Sequence, residues 1–273
     1  MASEYTDRER ALVHAAELRA ELHHAQYDPS HDFYHVDRVR RLARAIAATE
    51  GAVDVLVVEL AALFHDLIDA KYLPASLAAT PTARATLDPF WTQHDPPHSE
   101  TTEAGPVLDE ERRRLVERIV DNVSYSKEVK RIAAGQQTEW HLSCPELHCV
   151  QDADKLDAIG AFGIMRCAAY SAIANRPLFV PPATAVATVD SSTASPAPDP
   201  ATDGKATGST QRKKVGGGGD SCALDHFREK LFKLEGMMKT RRGRELATKR
   251  TETMRQFVAD AEREWDEATG VVR

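Results

Sequence analysis

The chain has 273 residues, 42% of them hydrophobic, and a net charge of −7. That length suits one large domain or two small ones, with enough apolar residues for a sizeable core. The negative balance and the lack of a contiguous basic stretch argue against DNA as a partner, yet leave room for a small anionic substrate held by a few local cations.

In chain order the signals are helical. Residues 6–26 place Leu12, Ala15, Ala16 and Leu22 in a helical rhythm, and residues 33–50 repeat it with Val36, Val39, Leu42, Ala43 and Ile46. Residues 54–69 are apolar on almost every side, which predicts a buried central helix capped by Asp54. Further helices are expected near 73–89, 107–121, 145–152, 154–174, 222–235 and 241–268, and residues 91–106 read as a loop. No strand pattern of useful length occurs, so the expected fold class is all-α.

Residues 181–221 are rich in Pro, Ala, Ser, Thr and Gly and end in VGGGGD. Such a composition buries too little apolar surface to order itself. The expectation is therefore one domain, residues 1–273, interrupted by a disordered insertion at about 181–221. The alternative is an interdomain linker, but residues 222–273 are short for a second core.

Cys144, Cys149, Cys167 and Cys222 form no CxxC pair, which suits a reducing compartment. The charged N-terminus has no apolar core of a secretory signal, and no apolar run reaches membrane-spanning length. A cytoplasmic location is expected, the nucleus also being compatible. No membrane is expected, and a homodimer is compatible with the sequence without being specified by it.

The chemistry gathers in three places. HDLIDAKY at 65–72 ends the apolar helix, and a histidine beside an ionised carboxylate is costly to bury unless something pairs with both. A divalent cation does so, since imidazole and carboxylate together suit several metals. Asp69 follows Asp66 by three residues and His65 by four, so all three reach one helix end. His35 opens the next-door amphipathic helix, and QDADKLDAIG at 151–160 supplies a second acidic cluster.

The order HVDRV, LFHDLID, DADKLDAIGAFGI resembles the HD-domain phosphohydrolases, most closely a stand-alone bacterial and fungal subgroup with a C-terminal stretch like LDHFREKLFKLEGMMKTRRGRELATKR, here 224–250. The resemblance covers roughly residues 25–175 and 222–265. It implies an HD-type helical bundle whose metal ligands are His35, His65, Asp66 and Asp154. Asp154 is preferred to Asp152 because it stands in the Ala-Asp-Lys-Leu context. The implied metal is manganese, with magnesium, iron, cobalt and zinc also able to sit there. The implied activity is hydrolysis of nucleotide phosphates, releasing phosphate or pyrophosphate, with Asp69 orienting or deprotonating the water and Lys71 beside it. Ala70 and Lys71 depart from the second acid found in hydrolases of stringent-response guanosine nucleotides, so nucleoside triphosphates or other phosphate esters fit better.

Arg38, Lys155, Lys230, Lys233 and Lys71 are the candidate phosphate cations. Arg38, one turn after His35, equally suits an ion pair with a carboxylate behind the ligands. His31-Asp32 is read as a decoy, with Ser30 and Asp32 as caps. His141 and His148 are read as structural, and Glu111–Arg114 as a solvated face. Gly160 and Gly163 are expected to permit close packing, and Met237 and Met238 to fill the core. Two other classes remain open. A di-iron oxygenase would need further inward histidines, for which only His94, His98, His141 and His148 are available. A non-catalytic nucleotide-sensing module would need no intact ligand set.

Overall fold

The computed structural model describes residues 5–68, 81–96, 105–180 and 222–270. Among these the architecture is all-α, with eleven α-helices, one 3-10 helix and no strand. The helices are α1 (Asp7–His24), α2 (Phe33–Ala47), α3 (Val55–Phe64), α4 (Ala83–His94), α5 (Glu110–Asn122), α6 (Tyr125–Ala133), α7 (Glu139–Ser143), α8 (Pro145–Asp157), α9 (Gly160–Ile173), α10 (Ala223–Glu229) and α11 (Arg241–Thr269). The 3-10 helix, Leu231–Met237, lies between α10 and α11.

The core is organised around α3. Every residue from Leu56 to Phe64 is buried, and α1, α2, α5 and α8 pack around it. Asp54 caps this helix by accepting from the Val57 amide, and Asp32 caps α2 by accepting from His35 N. One charge sits inside the apolar helix. Glu59 is fully buried, at 2.7 Å from Arg40 Nε and 3.2 Å from Arg44 Nε, and accepts from the Tyr5 hydroxyl at 2.7 Å. A buried carboxylate is tolerable only with such partners, and here they tie α2 and Tyr5, just ahead of α1, to α3.

Several boundaries differ from expectation. Residues expected to form two helices, 145–152 and 154–174, divide elsewhere. α8 runs unbroken through Asp154 to Asp157, and the break falls at Ala158–Ile159. Gly160 has φ +77°, and a Cβ there would stand 2.9 Å from Arg250 Cβ, so glycine is required to restart the chain as α9. At Gly163 an added Cβ would meet the Ala158 carbonyl at 2.4 Å, the close approach expected of that glycine. Residues 91–94, expected as loop, complete α4 because Trp91 is buried against Phe64 and Phe90. Of the stretch 73–89, residues 83–89 are helical and residues 73–80 lie outside the described residues. The short helices α6 and α7 were not expected. The Glu111–Arg114 run is not simply a solvated face: Arg112 grips Asp54 with two nitrogens, and Arg113 pairs with buried Asp95 at 2.8 Å.

The segment after residue 221 packs into the same core as the rest. α11 lies along α8 and α9, and its start is held by Asp152. The fully buried Asp152 carboxylate accepts from the amides of Lys239 at 3.0 Å and Thr240 at 2.8 Å, and from the Thr240 hydroxyl at 2.8 Å. Gly243 fits only as glycine here, since a Cβ would fall 2.3 Å from Asp152 Oδ2. On either side of 181–221, Ala223 N donates to Pro177 O at 2.8 Å and Leu224 N to Leu178 O at 3.2 Å. The insertion itself, and with it the expectation of disorder, lies outside the described residues. No single helix among the described residues is long and apolar enough to cross a membrane.

Candidate metal centre

Three helix ends meet at one point. His35 stands in the first turn of α2, His65 and Asp66 follow directly on α3, and Asp154 lies one turn before the end of α8. His65 Nε2 is 3.3 Å from His35 Nε2, 3.3 Å from Asp66 Oδ2 and 3.8 Å from Asp154 Oδ1. His35 Nε2 is 3.5 Å from Asp66 Oδ2 and 3.8 Å from Asp154 Oδ1. Both imidazoles are almost fully buried, while the two carboxylates keep part of their surface open.

The remaining ring nitrogens decide what this cluster can hold. His35 Nδ1 is 2.8 Å from Asp157 Oδ2, and His65 Nδ1 is 2.8 Å from the carbonyl oxygen of Ala62. Both partners are acceptors, so each Nδ1 donates and each Nε2 presents a lone pair. Two such nitrogens 3.3 Å apart, with carboxylate oxygens around them, call for a positive charge among them, either a proton on one ring or a bound cation. Donors about 2.1 Å from a common ion are separated by about 3.0–3.4 Å at right to tetrahedral angles, close to the spacing seen. The donor set therefore fits a divalent cation.

The same electrostatics appears in the titration of these groups. Burial pulls the His65 imidazole down, but the Asp66 and Asp154 carboxylates override it and push it up to about 9. Asp66 is held well below the usual carboxylate range: burial opposes this, and His65 and His35 outweigh it.

Asp157 is the buttress, and the sequence did not single it out. It is buried and accepts from His35 Nδ1, from Arg38 Nε at 2.7 Å and Nη2 at 3.1 Å, and from Arg166 Nη1 at 3.0 Å. The hydrogen bonds from His35 and Arg38 and the charge of Arg166 hold its carboxyl below the ordinary range against the effect of burial. Arg38 thus takes the carboxylate-pairing role, with its guanidinium over the Phe162 ring at 4.4 Å. Asp152, two residues before Asp154, is occupied at the start of α11 and takes no part in the cluster.

A cavity of about 100 Å³ opens over the cluster, lined by His35, Asp66, Asp154, Tyr125, Lys230 and Arg166 among others. Lys155 borders it but is buried, 2.7 Å from Glu128. Lys230 stands in its wall with Nζ 4.7 Å from the Tyr125 ring, whereas Lys233 is exposed and is not among the lining residues. His31, read as a decoy, also lines the cavity. Asp32 does cap α2, while Ser30 is buried and bonds to Asp28 rather than to a helix start. Asp69, Lys71 and His98 lie outside the described residues. His141 and His148 bond to Asn122 and to the His141 carbonyl respectively, and His94 packs on Phe90. Among the described residues the one His/Cys/Asp/Glu group tight enough to hold an ion contains His35, His65 and Asp66.

Residues 32–159 match the HD domain. YpgQ of Bacillus subtilis, a protein called uncharacterized, is 30% identical over 257 residues, spanning 93% of this chain and 95% of YpgQ. The chain belongs to the HD-domain family. The crystal structure of Bacillus subtilis YpgQ in complex with ADP superposes with a TM-score of 0.59 at 25% identity, covering 92% of this chain and 97% of that one. A Lactobacillus plantarum protein gives 0.61 at 29% identity, with 97% and 100% covered. An HD-superfamily hydrolase from Bacillus thuringiensis shares the fold at 22% identity, with a TM-score of 0.59 and 94% and 98% covered.

Proposed function

We propose that this chain is a metal-dependent hydrolase of nucleotide phosphates, with His35, His65, Asp66 and Asp154 as the ion's ligands. The observation that carries the reading is the pair of facing Nε2 atoms, each aimed inward by an acceptor behind its ring and flanked by carboxylates lining an open cavity. The ADP held by YpgQ supports a nucleotide as the ligand here too. When bound, a divalent ion supplies an acidified water and neutralises charge on a phosphoryl oxygen.

The chain's own residues then divide the work. Asp157 holds His35 in the tautomer that points Nε2 inward, and the Ala62 carbonyl does the same for His65. Arg166 and Lys230 face the cavity as cations for phosphate oxygens that the ion does not reach. Asp69, four residues after His65 in sequence, is the proposed group that orients or deprotonates the water, with Lys71 beside it.

The test is a panel of nucleoside mono-, di- and triphosphates assayed with Mn, Mg, Co and Zn, the products separated by phosphate number. Metal-dependent release of phosphate or pyrophosphate is expected, with manganese giving the highest rate. Nucleotide binding without turnover under every metal would favour a sensing module instead. Two irons per chain with an oxygen-sensitive optical spectrum would favour an oxygenase.

A further inference from the structure

A second cavity, about 290 Å³, adjoins the metal pocket. Arg166 and Lys230 stand in the walls of both, so the boundary between them is cationic. Arg176, His226, Tyr170 and Ser171 are further lining residues of the second cavity. None of its described lining residues carries a carboxylate, whereas the first cavity has Asp66 and Asp154 at its floor. Charge along the joined cleft therefore runs from acidic, where an ion fits, to basic.

Two details point to an anionic occupant. Arg166 is fixed before any ligand arrives: its Nε donates to Ser30 O at 2.8 Å and its Nη1 to Asp157 at 3.0 Å. A guanidinium anchored in this way presents its remaining N–H groups at little entropic cost. Ser171 is fully buried, and its Oγ has no hydrogen-bond partner. An unsatisfied buried hydroxyl is costly, and in a cavity wall it offers a donor to an oxygen-rich group.

We propose that this second cavity is a polyphosphate subsite. It takes the substrate's phosphate groups that are not at the ion, with Arg176 and His226 as its own contacts and Arg166 and Lys230 shared. The consequence is selection of nucleoside polyphosphates over single-phosphate esters. The proposal rests on the phosphate-hydrolysis reading above.

The test measures binding rather than turnover. Inorganic tripolyphosphate is titrated into the full chain by calorimetry with no metal added. One site is expected, weakened about tenfold by Arg176→Gln or by His226→Gln and further by the pair. Arg263→Gln, which removes the same charge on exposed α11, should bind like wild type. Circular dichroism confirms that each variant is folded, and either single variant suffices if the other is not. Adenosine, which lacks phosphate, should not compete. Unchanged tripolyphosphate affinity in the folded variants, or competition by adenosine, overturns the subsite. A wild-type chain that binds tripolyphosphate in this way yet hydrolyses no nucleotide with any metal would refute the hydrolase reading and leave the subsite standing.

Discussion

His35 and His65 illustrate how a ring is committed to one task. Each has one nitrogen fastened to an acceptor at 2.8 Å, leaving the other no role except to face its neighbour. His65→Ala and Asp66→Ala should therefore lose bound metal and turnover together, read by elemental analysis beside the rate. Asp69→Asn should separate the two: metal content near wild type, with the rate down by ~10²–10⁴, the usual span for a general base. Retained metal with a normal rate would remove Asp69 from the mechanism. Asp157→Ala should lower metal affinity about 10–100-fold, the usual effect of removing a ligand's orienting partner, measured by competition with a chromophoric chelator. The residues proposed as ligands were marked by local spacing and context: His35, His65 and Asp66 form one tight group, and Asp154 Oδ1 stands 3.8 Å from both histidine Nε2 atoms. Asp157 was not, because its meaning lies in partners 122 and 119 residues away. That His31 lines the cavity was hidden for a similar reason, since only its chain neighbours are visible before folding.

At the level of elements, the most instructive correction concerns α8. The expected helices 145–152 and 154–174 placed a boundary between Asp152 and Asp154. In the fold α8 passes straight through both, and Asp152 instead holds Lys239 and Thr240, the latter being the cap of the helix that begins 89 positions later at Arg241. That latch fixes the α11 start beside α8. Asp152→Ala should leave several buried donors unsatisfied and cost about 3 kcal/mol, visible as a fall in Tm of roughly 5–10 °C. A variant with an unchanged Tm would show that the latch contributes nothing. Gly163→Ala should also destabilise, since its methyl would overlap the Ala158 carbonyl. The long apolar helices were legible from periodicity alone, while α6 and α7, nine and five residues long, carry too little pattern to stand out.

For the molecule as a whole, the ion and the core are coupled. The ion-free cluster gathers the Asp66 and Asp154 carboxylates around two buried imidazoles, so added manganese should raise Tm and EDTA should reverse the rise. An ion at a hundred times its Kd would add about 2.7 kcal/mol, and a Tm indifferent to metal would count against the assigned ligands. We infer that the chain is one domain, a reading supported by the shared core on both sides of 181–221. Replacing that stretch with a short Gly-Ser bridge should leave the Tm within a few degrees, because loop length enters closure entropy only logarithmically. Loss of soluble protein on this deletion would oppose it.

The two hydrogen bonds that join Pro177 and Leu178 to Ala223 and Leu224 have one more consequence. They seal the chain where the insertion leaves and returns, so the peptide link across it is not what holds the C-terminal helices in place. A single cut between 181 and 221 would yield two polypeptides that stay together through α8, α9 and α11. The four proposed ligands would all lie on the larger piece, and Lys230 and His226 would lie on the smaller. Nucleotide affinity would then become a bimolecular property. Diluting the nicked protein should weaken substrate binding while the larger piece keeps its metal.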